Sequence, residues 1–188
     1  MRMAEVQRKL KEGNTEFAAT NTDYKSLVSG QHPNVAMVSC SDSRVDLAIV
    51  LSARLGEIFQ PGRPIGEAMD DTTVAGFEYA VAHLGVESMI IAGHTGCGAL
   101  TEALKLLKEG ASPKEAALFR TIKGLSNNIS ADYDLETAAW ENARKQASEL
   151  LRRSESVSSA VRHGKAELGV LVYDISTGRI SDIELVKP

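Results

Sequence analysis

The stretch MVSCSDSRVD, residues 37–46, places a cysteine, an aspartate and an arginine directly after a short apolar run. That run, Val35–Ser39, is continuous rather than alternating, which is typical of a strand buried on both faces of a parallel sheet. Cys40, Asp42 and Arg44 follow at alternate positions where the strand ends. In open α/β sheets, ligands bind at the carboxyl ends of the strands. We therefore expect a buried strand that delivers these three side chains to a functional edge.

Composition excludes several classes of protein. The 188 residues, 43% apolar and 24% charged, suit one domain with a sizeable core. A net charge of −4, with dispersed Lys and Arg, argues against a nucleic-acid or membrane surface. No apolar run approaches the roughly 18 residues that span a bilayer. The first residues lack the apolar segment of an export signal, so we expect a cytoplasmic protein.

Apolar periodicity alternates between helices and strands along the chain. Helices are expected over 3–19, 45–54, 72–84, 98–109, 113–127 and 133–153. Strands are expected over 35–39, 57–60 and 88–93, with two more around the turn in LGVLVYDISTGRISDIEL (168–185). Loops are expected over 21–33 and 62–71. The pattern predicts a single α/β domain over 1–188 with a mainly parallel central sheet flanked by helices, an amino-terminal helical arm (1–30) and a carboxy-terminal edge strand.

A second motif, IIAGHTGCGAL (90–100), repeats the arrangement at another strand end. His94 follows an apolar strand and Cys97 comes three residues later. If the two strands are neighbours, Cys40, His94 and Cys97 meet at one edge. Two thiolates and an imidazole are three of the four ligands of a tetrahedral zinc ion. Glycines 93, 96 and 98 would let the backbone turn tightly there.

Other interpretations of these residues stay open at this point. The only two cysteines could form a disulfide, although a lone bridge is uncommon in a protein without an export signal. They could also be buried, unreactive thiols. A structural zinc usually has four protein ligands, whereas three leave a position for water or for Asp42. A phosphatase-type loop is dropped, because it needs five residues between Cys and Arg and here there are three.

The paired motifs CSDSR (40–44) and GHTGCG (93–98) resemble those of the β-class carbonic anhydrases. The resemblance runs from GQHP (30–33) through FEYAVAHLGV (77–86) to VYDISTGRI (172–180). It implies reversible hydration of carbon dioxide to bicarbonate by a zinc-bound hydroxide. Because two thiolates would cancel the charge of the zinc ion and acidify its water less, we expect activity to rise above neutral pH. Family members that hydrolyse carbonyl sulfide or carbon disulfide share the zinc motif, so those substrates remain an alternative, as does a zinc-binding homologue with little turnover.

The resemblance also implies roles for individual residues. Cys40, His94 and Cys97 would bind Zn²⁺, and Asp42 with Arg44 would form the catalytic dyad. A guanidinium offers a carboxylate a bidentate partner, so Arg44 would decide whether Asp42 binds zinc as a fourth ligand in a closed state or releases it. The residues that would line the apolar substrate pocket, partly across a dimer interface, are Gln31, Phe59 and Tyr79.

One segment departs from the family pattern. Gly62, Arg63 and Pro64 stand where the family usually has Arg-Asn followed by an apolar residue. Arg63 is displaced by one position, and in an extended segment it would point to the opposite face. We therefore expect a remodelled pocket neck in which no arginine holds the neighbouring backbone. The resemblance further implies a homodimer or homotetramer, with the amino-terminal arm wrapping a partner subunit.

Overall fold

The computed structural model describes residues 2–20 and 24–187, which divide into two compact units, residues 1–31 and 32–188. The first unit contains helices α1 (Met3–Thr20) and α2 (Tyr24–Val28). No residue of α1 is buried, and its apolar side chains include Met3 and Leu10, which are 79% and 68% exposed. Helix α2 replaces part of the loop expected over 21–33, whose residues 21–23 lie outside the described part.

The second unit is built on a six-stranded sheet. Its strands are β1 (Val35–Ser39), β2 (Ile58–Phe59), β3 (Ser88–His94), β4 (Glu167–Asp174), β5 (Arg179–Ile180) and β6 (Glu184–Leu185). The order is β2-β1-β3-β4-β5, with β6 also paired to β4. The first four strands are mutually parallel, whereas β5 and β6 run antiparallel to β4. The predicted fold class, a mainly parallel sheet with carboxy-terminal strands at its edge, is confirmed.

Helices flank this sheet. They are α3 (Leu47–Val50), α4 (Asp71–His83), α5 (Gly98–Glu109), α6 (Ala116–Ser126), α7 (Leu135–Arg153) and α8 (Glu155–Arg162), with a single 3₁₀ turn at Ile65–Glu67. Asp70 and Asp134 begin α4 and α7 by accepting backbone hydrogen bonds from the first turn. None of the helices in the described ranges is both long and apolar enough to cross a bilayer.

The side chains of β1 point alternately to the two faces of the sheet, and both faces are buried, so every position in the strand can be apolar. Ala36 and Val38 belong to a core cluster that also contains buried residues of α4, α7 and α8. Met37 belongs to a second cluster that includes Leu47 of α3. Because both faces of the strand are covered, polar positions would have no access to water there. The carboxyl end of β1 leads to Cys40, which is also buried, in a third cluster that contains Cys97.

The structure corrects three boundaries. The helix expected over 45–54 is only Leu47–Val50, because Ser52 takes a left-handed conformation with φ 51° and ends it. The expected loop over 62–71 contains the 3₁₀ turn. Helix α8 was not predicted; Ser154 leaves helical geometry and its side chain accepts from the Val157 N–H, so it ends α7 and begins α8.

Candidate metal centre

The pairing of β1 with β3 brings the two sequence motifs together. Ser39 lies opposite Ala92 in this parallel pair, so Cys40 and His94 leave the sheet at the same edge. Cys97 occupies the N-cap of α5, where the helix N–H groups favour negative charge. The ligand atoms of Cys40, His94 and Cys97 all lie within 4.8 Å of one another, and the three side chains are buried. Both cysteines are free thiols, so the disulfide interpretation is wrong.

The His94 ring is oriented for metal binding. Its Nδ1 lies 2.9 Å from the Thr95 carbonyl oxygen, which can only accept a hydrogen bond, so Nδ1 carries the proton. Nε2 is then left with a lone pair, and it is buried with no hydrogen-bond partner among the described residues. A metal-bound histidine commonly donates its other ring N–H to a carbonyl in this way. An orphaned imidazole nitrogen facing two thiols fits a zinc ion.

The two thiols are not equivalent. Hydrogen bonding from Cys97, opposed by burial, and a further bond from the Gly66 backbone lower the pKa of Cys40 to about 4. The converse hydrogen bond to Cys40, together with burial, raises the pKa of Cys97. Zinc ligands must be deprotonated, so metal binding at Cys97 would release its proton.

Asp42 is held by Arg44 at the mouth of this cluster. Arg44 Nε and Nη2 donate to the two carboxylate oxygens at 2.9 and 2.6 Å, and the Arg44 backbone N–H donates to Asp42 Oδ1 at 3.0 Å. These bonds keep the pKa of Asp42 well below its usual range. Arg44 Nη2 also donates to the Gly96 carbonyl at 3.1 Å, which ties the β1 loop to the β3 loop. Asp42 is not part of the group of three ligand atoms.

Only one of the three glycines of the β3 motif needs a left-handed backbone. Gly96 has φ 64°, and an added Cβ there would lie 3.1 Å from Ile175. Gly93 is needed for close packing, because its Cβ position is 3.1 Å from the Ala139 carbonyl oxygen. The expected role of Gly98 is not found, since it has open space around it and no positive φ.

Sequence reasoning missed the 3₁₀ turn as part of the site. The Gly66 N–H donates to Cys40 Sγ at 3.3 Å. The neighbouring Glu67 is fully buried, and neither of its carboxylate oxygens has a hydrogen-bond partner in the described structure. Burial, and then the nearby Cys40 charge, raise the pKa of Glu67 well above its usual value. A Gly-Glu pair in a polar loop carries no motif, so only the tertiary fold identifies it.

The expectation that no arginine holds the backbone beside the altered loop is wrong. Arg63 Nη2 donates to the Asp42 carbonyl at 3.2 Å and also to the Val45 carbonyl. Arg63 Nη1 lies 3.5 Å from Asp46 Oδ2. The segment is not a continuous extended strand, because it enters the 3₁₀ turn just after Pro64. Arg63 therefore reaches the loop that carries Asp42 and Arg44.

Two of the three predicted pocket residues lie close together in the second unit. Phe59 on β2 and Tyr79 on α4 have ring centroids 6.0 Å apart, and Tyr79 is 45% exposed. Phe59 packs against the core beneath α4, which is a different cluster from the one containing Cys40 and Cys97. Gln31 is exposed and belongs to the amino-terminal unit. The role of all three in substrate binding stays a prediction.

Comparison with known proteins agrees with this geometry. The sequence model of the carbonic anhydrase family matches residues 35–180. Carbonic anhydrase 2 of Mycobacterium tuberculosis is 28% identical, over 90% of this chain and 87% of that protein. The carbonic anhydrase of Synechococcus elongatus is 30% identical, over 94% of this chain and 71% of that protein.

Solved structures show the same fold. A β-carbonic anhydrase of Aspergillus fumigatus, CafA, superposes with a TM-score of 0.81 at 25% identity, covering 98% of this chain and 92% of that one. One from Sordaria macrospora, described as tetrameric, gives a TM-score of 0.79 at 24% identity, covering 94% and 96%. The match over most of the second unit, with the three ligand atoms clustered at the edge shared by β1 and β3, shows that the chain belongs to the β-class carbonic anhydrase family, whose members are zinc lyases.

Proposed function

We propose that this chain catalyses the reversible hydration of carbon dioxide at a zinc ion held by Cys40, His94 and Cys97. The observation that carries the proposal is the buried two-thiol, one-imidazole cluster beside a carboxylate that Arg44 already holds. A purely structural zinc would have no use for the Asp42–Arg44 pair. Zinc, when bound, makes a water molecule acidic enough to supply a nucleophile near neutral pH.

The residues around the metal have separable tasks in this proposal. The Thr95 carbonyl fixes the tautomer of His94, and the Gly66 N–H supports the charge on Cys40. Arg44 engages both oxygens of Asp42 and so keeps that carboxylate ionised and away from the metal. The remaining lone pairs of Asp42 can accept a hydrogen bond from the reacting water and orient it.

The apolar part of the pocket and the compartment are also proposals. Gln31, Phe59 and Tyr79 would contact the small apolar substrate, with Phe59 or Tyr79 serving the pocket of a partner subunit.

The two thiols must stay reduced to bind a metal, and they lie buried and unpaired with each other. A reducing compartment meets that need, so we propose the cytoplasm.

Metal analysis tests the ligand set. The wild-type protein should carry about one zinc per chain, and both Cys97→Ala and His94→Ala should lose most of it. His163→Ala is the matched control, because His163 is an exposed residue at the end of α8 and should leave the zinc in place. Full zinc retention in Cys97→Ala would show that the ligand set is wrong.

Stopped-flow kinetics test the substrate. Carbon dioxide hydration by the zinc-loaded protein should be readily detected, and carbonyl sulfide and carbon disulfide should be turned over much more slowly. If carbonyl sulfide or carbon disulfide were hydrolysed faster than carbon dioxide is hydrated, that compound would be the favoured substrate. The altered Gly62-Arg63-Pro64 loop is the reason to test both. No turnover of any of the three, with zinc bound, would favour a zinc-binding homologue without enzymatic activity.

A further inference from the structure

The 3₁₀ turn at Ile65–Glu67 has a backbone shape that needs outside support. Gly66 has φ 62° and ψ 37°, and Glu67 has φ 52°, so two consecutive residues are left-handed. For a residue with a side chain, such as Glu67, that conformation is sterically disfavoured, because Cβ comes too close to the following carbonyl oxygen. Strained backbone of this kind persists only where the surroundings hold it. In this shape the Gly66 N–H points at Cys40 Sγ.

Helix α7 provides the support. Asn142 Nδ2 donates to the Gly66 carbonyl at 2.8 Å, and Gln146 Oε1 accepts from the Met69 N–H at 2.9 Å. Gln146 Nε2 in turn donates to Asn142 Oδ1 at 3.3 Å, so the two side chains brace each other. Asn142 is fully buried, and Gln146 is nearly so. One helix thus holds the chain at Gly66, within the turn, and again at Met69, just after it.

Packing leaves the turn little freedom on its other side. A Cβ added to Gly66 would lie 2.6 Å from Leu125 Cδ1 of α6. The turn is therefore confined between α6 and α7, and its position relative to Cys40 is set by contacts that come from far along the chain. None of these residues belongs to the two sequence motifs that supply the metal ligands.

We infer that Asn142 is a positioning residue for the zinc ligand Cys40, acting through the Gly66 N–H. Asn142 holds the Gly66 carbonyl and so fixes the orientation of this residue, and the Gly66 N–H donates to the thiolate, which restricts the sulfur and supports its charge. Outer partners of metal ligands typically contribute 10–100-fold to metal affinity. This inference rests on the proposed zinc site.

A merely structural role for Asn142 predicts a different result. Any buried, hydrogen-bonded asparagine stabilises the fold, and its loss would lower the stability of metal-free and zinc-loaded protein equally. A positioning role lowers the stability of the zinc-loaded protein more, because zinc affinity itself falls. The zinc dissociation constant therefore separates the two roles.

The experiment compares Asn142→Leu and Asn142→Ala with the control Asn128→Ala. Asn128 donates to Asn142 Oδ1 at 2.9 Å, but in the described part of the chain it makes no hydrogen bond to the turn. Chelator competition should show zinc binding about 10–100-fold weaker in both Asn142 variants and within about twofold of wild type in the control. Wild-type zinc affinity in the Asn142 variants, with equal losses of metal-free and zinc-loaded stability, would overturn the inference.

A measurement on the wild-type protein covers the case in which the Asn142 variants do not fold. In protein loaded with ¹¹³Cd in place of zinc, a hydrogen bond from an amide to a metal-bound thiolate transmits a scalar coupling from the metal to the amide proton. The Gly66 amide should show this coupling, and its absence would overturn the inference. Zinc retention in Cys97→Ala would instead remove the proposed zinc site, so the two failures are distinguishable.

Discussion

At the scale of single residues, Arg44 connects the two motifs of the site. It pairs with Asp42 on its own loop and donates to the Gly96 carbonyl on the β3 loop. An exposed ion pair contributes little to stability, so the role of this pair is to hold Asp42 and the two loops in position. Two guanidinium N–H groups of Arg44 engage the Asp42 carboxylate, so this carboxylate is not free to bind a cation at the metal position.

Replacing Arg44 should separate zinc binding from catalysis. Arg44→Ala should keep about one zinc per chain, while carbon dioxide hydration falls about 10–100-fold, because Asp42 is released to compete for the metal. Metal analysis and stopped-flow hydration assays measure the two effects. Arg54→Ala removes another arginine that pairs with a carboxylate, Glu57, away from the cluster, and it should change neither. Wild-type turnover in Arg44→Ala would contradict the proposed role of Arg44.

Glu67 makes stability depend on pH. Burial raises its pKa in the folded protein, so at neutral pH the unfolded chain ionises this group while the folded chain keeps it neutral. Stability is therefore undiminished below the ordinary glutamate pKa and falls as pH rises above it. Glu67→Gln cannot ionise, so it should melt at a higher temperature than wild type at pH 8 and close to it near pH 4.5.

Thermal unfolding of metal-free protein between pH 4.5 and 8 checks this expectation. Glu87→Gln provides a control on an exposed side chain and should follow the wild-type curve throughout. A melting temperature for Glu67→Gln that differs from wild type by the same amount at every pH would show that Glu67 is ionised in the folded protein or paired there.

At the scale of elements, helix α4 sets the position of the loop after β2. Gly76 faces Pro61 so closely that an added Cβ would lie 2.8 Å from Pro61 Cα and 3.1 Å from its carbonyl oxygen. Backbone cannot yield as a flexible side chain can, so α4 could approach the loop only with glycine at this position. The loop leads directly into Arg63 and the 3₁₀ turn, both of which contact the site.

Gly76→Ala should therefore lower the free energy of unfolding by about 1–3 kcal/mol, through overpacking against Pro61. Gly124→Ala is the control in α6, where an added Cβ meets nothing within 4 Å. It should raise stability by about 0.5–1 kcal/mol, because alanine is the better helix former. Denaturant unfolding of both variants measures the difference, and a neutral or stabilising Gly76→Ala would show that α4 can shift without cost.

At the scale of the whole molecule, we propose that the amino-terminal unit is an arm that binds a second copy of this chain. Helix α1 buries none of its residues, yet Met3, Val6, Leu10 and Phe17 lie on or near one face. An apolar face left uncovered on an amphipathic helix marks an interaction surface. Light scattering should show a dimer or a larger assembly at micromolar concentration.

A charge on that face should dissociate the assembly. Leu10→Glu should shift the protein toward monomers, while Thr15→Glu, on the opposite side of α1, should leave the assembly unchanged. A monomeric wild-type protein with full activity would contradict the proposed arm. If Leu10→Glu remained fully assembled, the contact between subunits would have to lie on other surfaces.

Much of this protein follows from local sequence pattern. The apolar runs before Cys40 and His94 predict two buried parallel strands, and Asp-Ser-Arg and His-Thr-Gly-Cys at their ends predict the ligand cluster and the paired carboxylate. These inferences succeed because strand burial and residue spacing are local properties, and because parallel neighbours share one functional edge. Helix α8 was not predicted, because its start depends on a single serine that also ends α7.

The contacts that hold the metal ligands in place are visible only in the tertiary structure. The hydrogen bond from Gly66 to Cys40, the hold of Asn142 on Gly66, and the burial of Glu67 join segments that no spacing rule connects. Arg63 lies one position away from where an arginine was expected, yet it still reaches the Asp42 and Val45 carbonyls. A long side chain on an irregular backbone can reach acceptors on another loop, and that outcome depends on three-dimensional packing rather than on sequence order.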